Sequence, residues 1–284
     1  MGGPQGVGAL GSERARRTLG GWEGRGYTMW MSLTADLGES FGRWRMGDDD
    51  ALLEVVTSAS VACGFHAGDP MVMDRTVRLA SARGVGVGAH PGYRDLEGFG
   101  RRDLVMSQDE IRTAVLYQVG ALAGFCRAAG ISLEHVKPHG QLYNRALIDE
   151  AVARAVVAGV AGWGAGVPVV AAGGALADAA RAAGLPVAVE AYVDRRYAPD
   201  GTLVPRGQPG AVLTDPAAVV AQAQSLACEG RVQAAGGAWL SVAPDTLVVH
   251  GDTLGAAGLA GLVKETLAKC GIRWGSLADV LSAR

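Results

Sequence analysis

Short apolar segments alternate with helix-like stretches along most of the chain, beginning near residue 32. Each apolar segment ends in polar and glycine residues, and alanine, leucine and arginine then recur with helical spacing. The seven segments are "MSLTADLGES", "VTSASVACGFHAGDP", "VGVGAHPGY", "LEHVKPHG", "VPVVAAGG", "LPVAVEAYVDR" and "DTLVVHGDT". Strands separated by helices indicate βα units and a parallel sheet. We therefore predict an α/β fold, a distorted (β/α) barrel of about seven parallel strands, with an open doubly wound sheet as the alternative.

The pattern also predicts where the folded domain begins. Residues 1–28 are rich in glycine and poor in large apolar side chains, so we expect a disordered N-terminal extension. Met29 and Met31 stand just before the first strand, and the functional chain is expected to start near them. Residues 29–284 are predicted to form a single catalytic barrel domain, because α/β barrels of this length are routinely one domain.

Composition narrows the classes of function. The formal net charge is −2, which gives no general attraction to nucleic acid or to an anionic membrane. No apolar run reaches the roughly 18 to 20 residues of a membrane span. Cys63, Cys126, Cys228 and Cys270 are scattered without a CxxC pair, which is typical of a reducing compartment, and we predict a cytoplasmic enzyme. The patterns GxxxxGK[ST] and GxSxG are absent, and no GxGxxG convincingly follows a strand, so neither a nucleotide cradle nor a hydrolase elbow is indicated.

Ionisable residues follow six of the seven predicted strands. The carboxyl ends of parallel strands share one face of a barrel, so these side chains are expected to converge. In "HVKPHG", His135, Lys137 and His139 alternate with the period of a strand, and one face could present all three to a reaction. A strand end that leaves polar groups at a wet surface is the alternative. The remaining histidines, His66 and His250 among them, also fall near strand ends.

Two motifs are best explained by helix capping. Asp69 before Pro70 is predicted to be an N-cap with proline at the first helical position. Ser107 and Glu110 have the spacing of a capping box. Cys63 lies inside an apolar strand and is expected to be a core thiol rather than a nucleophile.

Other polar residues have less obvious roles. Arg101 and Arg102 could grip a carboxylate or phosphate, or could form a solvated pair before the next helix. Glu190 lies in an apolar run, where an unpaired carboxylate costs several kcal/mol, so it needs a partner or a function. Asp252, two residues after His250, is predicted to orient that imidazole.

Six stretches, taken together, resemble the LamB/YcsF family of lactam-utilisation proteins, the group that supplies the A subunit of 5-oxoprolinase. They are "TADLGESFG", "ACGFHAGDP", "GAHPGYRDLEGFGRR", "HVKPHGQLYN", "VDRRYAPDGTLVPR" and "VVHGDT", within a resemblance from about residue 32 to about residue 272. The resemblance implies a barrel similar to that of polysaccharide deacetylases. It also implies ATP-dependent opening of 5-oxo-L-proline to L-glutamate, together with separate B and C subunits.

The resemblance also implies a set of site residues. The matching catalytic positions are Asp36, Glu39, His66, His90, Lys137, His139, Asp194, Arg195, His250 and Asp252. Substrate contacts are expected from Thr34, Ser60, Arg101, Arg102 and Glu190, where Thr34 and Ser60 replace asparagines usual in the family. Lys137 is expected to stabilise an oxyanion, His139 or His66 to transfer protons, and Asp36 or Glu39 to act as base. ATP with Mg²⁺ is expected to act through the partner subunits, since this chain has no phosphate cradle.

Two alternative functions remain open from the sequence. The first is a stand-alone metal-dependent amidohydrolase, with Asp36, His66 and His90 holding a divalent metal. The second is a non-catalytic subunit that presents a lactam to partners. Self-association is also expected, because the alanine- and glycine-rich stretch ending at Trp163 allows close helix packing.

Overall fold

The computed structural model describes residues 29–251 and 255–284. Over these residues the chain forms nine strands and nine helices. The strands are β1 Trp30–Leu37, β2 Ser58–Ala62, β3 Gly86–His90, β4 Val169–Ala171, β5 Val187–Tyr192, β6 Arg231–Gln233, β7 Trp239–Ser241, β8 Thr246–Val249 and β9 Arg273–Trp274. The helices are α1 Asp49–Leu53, α2 Pro70–Ala82, α3 Gln108–Ala128, α4 Gly140–Ile148, α5 Glu150–Trp163, α6 Gly174–Ala182, α7 Pro216–Glu229, α8 Ala256–Lys269 and α9 Leu277–Ser282. The predicted extension (1–28) and Asp252 lie outside the described residues.

A closed ring of parallel strands forms the centre of the molecule. Six strands are hydrogen-bonded in the order β3-β2-β1-β8-β5-β4. Val136 closes the ring, because it forms parallel bridges to Ala89 of β3 and to Val169 of β4. The predicted fourth strand is thus reduced to a single bridging residue, followed closely by Pro138, which has no N–H to donate. With this segment counted, the predicted α/β barrel of about seven parallel strands is confirmed.

Two smaller elements lie outside the ring. β9 pairs in parallel with the first two residues of β1, Trp30 and Met31. β6 and β7 form an antiparallel hairpin, in which Arg231 stacks over the exposed ring of Trp239. Among the described residues, no helix has the combination of length and hydropathy that crossing a bilayer requires.

The two faces of the barrel wall differ in polarity. Alternate residues of β1, such as Leu33 and Leu37, belong to the main core, which includes apolar residues of the surrounding helices. The intervening residues, such as Thr34 and Asp36, point into the ring, since side chains alternate along a strand. The interior is therefore largely polar, apart from a small apolar cluster that includes Leu277 of α9. Helix α9 closes the ring at the amino ends of the strands.

The barrel interior has room for large polar side chains because two inward-facing residues of β3, Gly86 and Gly88, are glycines. A Cβ on Gly86 would overlap the carboxylate of Glu134, and a Cβ on Gly88 would overlap the imidazole of His135. The "GVGVG" stretch therefore makes space for neighbouring side chains.

Both predicted helix caps are present. The Asp69 carboxylate accepts hydrogen bonds from the first amides of α2, and Ser107 with Glu110 forms a capping box at the start of α3. Cys63 is buried at the end of β2, and burial raises the pKa of its thiol to about 12, as suits a core residue.

The small residues of α5 are used within the chain. A Cβ on Gly159 would lie 2.6 Å from the Arg112 carbonyl and 2.8 Å from Val115 Cβ, so this glycine allows α5 to approach α3 closely. Trp163 is partly buried against the main core. The small residues that suggested self-association therefore pack within the same chain. Formation of a homo-oligomer stays a prediction.

Candidate active site

A cavity of about 560 Å³ opens at the carboxyl ends of the barrel strands. Its wall carries eight of the predicted site residues: Asp36, Glu39, His90, Arg101, Lys137, His139, Arg195 and His250. These come from β1, β3, the closing segment around Val136, and loops that follow β5 and β8. The predicted convergence of strand-end residues on one face is therefore observed.

Lys137 forms a buried ion trio with Asp36 and Glu190. Its Nζ lies 2.9 and 3.1 Å from the two Asp36 oxygens and 3.4 Å from Glu190 Oε2. Tyr192 donates its hydroxyl to Glu190 Oε1 at 2.9 Å, so the carboxylate has the partners that the sequence required. Lys137 is only 2% exposed.

The ion trio sets the charges of its members. Burial alone would lower the pKa of Lys137, but the negative charges of Asp36 and Glu190 outweigh it and raise that pKa above its ordinary value. Burial alone would raise the pKa of Asp36, but the charges of His90 and Lys137 hold it well below its usual range. At neutral pH the ammonium and the Asp36 carboxylate are therefore both charged.

A second group, which we call the imidazole cluster, consists of Glu39, His66, His90 and His139. His90 Nε2 lies 2.9 Å from His139 Nδ1, and Glu39 Oε1 lies 3.5 Å from both His139 Nδ1 and His66 Nε2. The rings of His66 and His139 stack with centroids 3.7 Å apart. One ligand atom from each residue lies within 4.8 Å of every other, so this buried group could hold a metal ion.

Burial and mutual repulsion keep two of these imidazoles neutral. The pKa of His66 falls well below its ordinary value because the ring is buried and because His139 and His90 lie beside it. The pKa of His139 falls in the same way, through burial and the charge of His90.

Backbone carbonyls fix the orientation of the cluster. His90 Nδ1 lies 2.7 Å from the Lys137 carbonyl, and His139 Nε2 lies 2.9 Å from the Phe99 carbonyl. Phe99 has a φ of 53°, a left-handed conformation that is costly for a residue with a Cβ. Gly92 leaves room for His66, because a Cβ there would lie 2.6 Å from His66 Nδ1.

His250 is held by Asp194, and the predicted contact with Asp252 lies outside the described residues. Its Nδ1 lies 2.9 and 3.0 Å from the two Asp194 oxygens, and its backbone N–H donates to the same carboxylate. Burial alone would raise the pKa of Asp194, but His250 and its hydrogen bonds lower it. The imidazole also stacks on Tyr192.

The two adjacent arginines have different environments. Arg101 lies on the cavity wall together with Arg195 and Arg206, so three guanidinium groups face the same volume. Burial and the charge of Arg206 lower the pKa of Arg195, whose Nη2 donates to the Val204 carbonyl. Arg102 is not on the wall: it pairs with Asp95, and its side chain is 60% exposed.

Thr34 and Ser60, which were expected to contact substrate, lie deeper in the barrel and off the cavity wall. Thr34 Oγ1 is 2.6 Å from Thr246 Oγ1, and Ser60 Oγ is 3.1 Å from His135 Nε2. Both positions point inward but are one or more layers below the strand ends. His135 belongs to this deeper layer as well, so it does not share the site of Lys137 and His139.

The expected metal triad is also rearranged. The Asp36 carboxylate is engaged by Lys137 and lies 3.4 Å from His90 Nε2, and the group that could hold a metal combines His66 and His90 with Glu39 and His139. Sequence reasoning did not select Tyr192 or Arg206. Tyr192 could have been found, because it lies two residues after Glu190 on β5 and so shares its face. Arg206 lies in a loop with no comparable signal.

The chain is similar to known proteins over most of its length. Residues 31–282 match the model of the LamB/YcsF family. A protein of Methylococcus capsulatus, named as the A subunit of 5-oxoprolinase, is 54% identical over 89% of this chain and 97% of its own length. The crystal structure of a lactam utilization protein from Thermus thermophilus superimposes with a TM-score of 0.83 at 43% identity, covering 87% of this chain and 100% of the other.

A deacetylase structure shows a lower similarity to this chain. The catalytic domain of a peptidoglycan N-acetylglucosamine deacetylase from Eubacterium rectale aligns with a TM-score of 0.47 at 13% identity, covering 90% of this chain and 91% of that one. The match to the family model, by contrast, runs from β1 through α9 and includes the whole site. The chain belongs to the LamB/YcsF family.

Proposed function

We propose that this chain is the A subunit of an ATP-dependent 5-oxoprolinase, a hydrolase that opens the lactam ring of 5-oxo-L-proline to L-glutamate with B and C subunits. The name of the 54% identical Methylococcus relative supports this assignment. The observation that carries the proposal is the buried ammonium of Lys137 on the wall of a small cavity, beside an imidazole held by a carboxylate. An unreactive amide needs such a combination of cation and base.

Lys137 is proposed to bind the lactam carbonyl oxygen. An ammonium has three N–H donors. Two of them are used by Asp36 and Glu190. The third is available to a substrate oxygen in the cavity. Once that oxygen carries the phosphoryl group, a fixed ammonium in a low-dielectric site strongly stabilises the negative charge of the oxygens at the reacting carbon.

His250 is proposed to be the general base. Because its Nδ1–H is donated to Asp194, its Nε2 is left as an acceptor on the cavity side. The imidazole takes a proton from the attacking water. It returns a proton to the ring nitrogen when the carbon–nitrogen bond breaks. Asp36 is a poorer base, since its lowered pKa and its contact with Lys137 favour the ionised form.

The arginines are proposed to hold anionic groups of the reactants. The substrate carries a carboxylate next to its ring nitrogen, and Arg101, Arg195 and Arg206 supply a matching positive region. This region can also receive a phosphoryl group during turnover.

ATP with Mg²⁺ is proposed to be bound through the partner subunits. Transfer of the γ-phosphoryl group to the lactam oxygen would release ADP and leave a more electrophilic carbon. One water then opens the ring, with the proton going to nitrogen, and a second water releases phosphate and leaves the carboxylate of L-glutamate. The chain lacks the sequence motif of a phosphate cradle, which is consistent with ATP binding by the B and C subunits.

The test is a reconstitution assay. The chain is incubated with 5-oxo-L-proline, ATP and Mg²⁺, with and without B and C subunits, and L-glutamate is measured. We expect glutamate only from the complete mixture. The imidazole cluster favours a second candidate, a stand-alone metal-dependent amidohydrolase, and glutamate formation by the chain alone without ATP would select that candidate over the first.

A further inference from the structure

The four side chains of the imidazole cluster have the spacing of a tetrahedral metal site. The separations between their inward-facing atoms are 2.9 Å for His90 to His139 and 3.5 Å for Glu39 to both His66 and His139. Zinc–nitrogen bonds of about 2.0 to 2.1 Å place the ligand atoms of a tetrahedron about 3.3 to 3.4 Å apart. These three separations lie near that value, and all four ligand atoms lie within 4.8 Å of one another.

The tautomers of two histidines aim lone pairs at one point. A backbone carbonyl can only accept, so His90 Nδ1 must carry the hydrogen that it donates to the Lys137 carbonyl. By the same reasoning, His139 Nε2 carries the hydrogen donated to Phe99. With both rings uncharged the remaining atoms, His90 Nε2 and His139 Nδ1, are bare acceptors only 2.9 Å apart, whereas a proton on His90 Nε2 would join them by a hydrogen bond. Two lone pairs at this distance repel each other unless a cation lies between or beside them.

His66 supplies a third acceptor to the same place. It is completely buried, and neither ring nitrogen has a hydrogen-bond partner among the described residues. A buried imidazole without partners is a costly arrangement. Gly92 and Gly100 keep the space that lets this ring stack on His139. The fold therefore holds a polar ring that no hydrogen bond from the described residues satisfies, with Glu39 Oε1 3.5 Å from its Nε2.

The surroundings of the cluster also match a metal centre. Histidine ligands usually donate their second nitrogen to a carbonyl or carboxylate, which fixes the ring and strengthens the bond to the metal. His90 and His139 both do so. The donor set of three imidazoles and one carboxylate, with no thiolate, suits zinc and neighbouring transition metals and does not suit Mg²⁺ or Ca²⁺.

We propose that Glu39, His66, His90 and His139 bind a divalent transition-metal ion of the zinc class at the inner wall of the cavity. Glu39, His90 and His139 line the cavity, whereas His66 lies behind them, so the ion site adjoins the space for substrate. The ion would neutralise the converging lone pairs and hold the loops after β1, β2 and β3 to the closing segment. The proposal does not depend on the identity of the substrate.

The test measures metal binding directly. The full chain is stripped with a chelator and titrated with Zn²⁺, Co²⁺ and Mg²⁺, and binding is followed by calorimetry, by thermal unfolding and by the visible spectrum of the Co²⁺ form. We expect one equivalent of Zn²⁺ or Co²⁺, a rise in melting temperature, the intense visible absorption of four-coordinate Co²⁺, and no effect of Mg²⁺.

Matched variants identify the ligands. Glu39→Gln keeps the shape of the side chain, and His139→Ala removes one imidazole. Each should weaken Zn²⁺ binding by more than about 100-fold, beyond the loss typical of changes around a metal centre. His135→Ala, which removes a buried histidine outside the cluster, should bind Zn²⁺ like the unaltered chain.

Either of two results would overturn the proposal. One is the absence of Zn²⁺ or Co²⁺ binding to the unaltered chain at metal concentrations on the order of 100 micromolar. That result would mean that His90 and His139 share a proton instead. The other is equal Zn²⁺ affinity in the Glu39→Gln variant, with folding verified by circular dichroism. Both readouts are independent of catalysis, so a failed glutamate assay leaves this result interpretable.

Discussion

The two ends of the barrel interior each carry histidine and carboxylate groups, yet only one end has the features of a reactive site. At the amino end, Glu134 accepts hydrogen bonds from Ser58 and from the Ala278 amide, and His135 lies against Ser60. We call these four side chains, Ser58, Ser60, Glu134 and His135, the lower cluster. Helix α9 covers it, and the Leu277 amide donates to Ser58.

At the carboxyl end, the ion trio and the imidazole cluster face a cavity, and His66 has no hydrogen-bond partner among the described residues. The residue types at the two ends are alike. What separates them is the cavity: the upper groups line it or lie directly behind its wall, whereas the lower cluster is enclosed, with His135 Nδ1, itself without a hydrogen bond from the described residues, 3.6 Å from Glu134 Oε2. The lower cluster should therefore matter for stability alone, and the upper groups for chemistry as well.

The largest effect is expected for Lys137→Met. Loss of the ammonium leaves Asp36 and Glu190 buried without their cation, and breaking a buried ion pair costs about 3 to 5 kcal/mol of unfolding free energy. Glutamate formation should also fall by at least about 100-fold, the scale of losing one oxyanion donor. Urea unfolding at pH 7 and the reconstitution assay measure the two losses. An unchanged unfolding midpoint would show that the ion trio is not buried as described.

Glu134→Gln should lower stability without lowering the activity of the folded protein. Burial alone would raise the pKa of Glu134, but the hydrogen bond and charge of His135, with the amides of α9, lower it to about 2. A carboxylate with a lowered pKa stabilises the fold above its unfolded pKa, and the contribution disappears as the pH falls toward 2. The shift from 4.5 corresponds to at most about 3 kcal/mol at pH 7.

Unfolding free energies of the Glu134→Gln variant and the unaltered chain should therefore differ most near pH 7 and converge as the pH is lowered below about 4. Turnover per folded molecule should be the same in both. A loss of turnover comparable to that of Lys137→Met would erase the distinction between the two ends.

Gly88→Ala should destabilise the chain by about 1 to 3 kcal/mol, because the new methyl group overlaps the His135 ring inside a packed barrel. The double variant Gly88→Ala/His135→Ala should recover part of that loss, since the smaller side chain frees the space. Gly124→Ala is the matched control: a Cβ there meets nothing within 4 Å, and alanine in a helix interior should stabilise by about 0.5 to 1 kcal/mol. Thermal unfolding distinguishes these cases, and equal losses at both glycines would contradict the packing explanation.

The smallest effect is expected from the arginine pair. Arg101→Ala removes one positive charge from the cavity wall and should raise KM for 5-oxo-L-proline about 10-fold. Arg102→Ala removes a guanidinium that is off the cavity wall and paired with the buried Asp95, so it should change KM less than about 2-fold. Steady-state kinetics of the reconstituted complex measures both. Equal KM values for the two variants would mean that the substrate carboxylate does not bind near Arg101.

The sequence was enough to predict the barrel, because alternation of apolar segments with helical stretches is a local signal. It also predicted that strand-end residues converge, since this follows from parallel topology alone. The depth of each side chain within the barrel was harder to predict. His135 and Lys137 alternate on one face, yet register places His135 beside Gly88 at the level of the lower cluster and Lys137 in the site.

Contacts between segments far apart in the sequence were the hardest to predict. Asp194 and His250 are brought together across neighbouring strands, a contact that their separation in the sequence does not indicate. Thr34 and Ser60 were expected at the substrate because they precede strand ends, but one or two residues decide whether a side chain reaches the cavity. The spacing of residues in the sequence does not show which side chains reach the cavity.

The central position of β1 has a consequence for the order in which the chain is made. One edge of β1 pairs with β2, which is synthesised soon afterwards, but its other edge pairs with β8 near the C-terminus. At about 5 to 20 residues per second, the ribosome leaves that edge uncovered for on the order of ten seconds or more. An uncovered strand edge is a template for wrong pairing. A chain truncated before β8 should therefore aggregate during synthesis, and the last strands complete the barrel only after release.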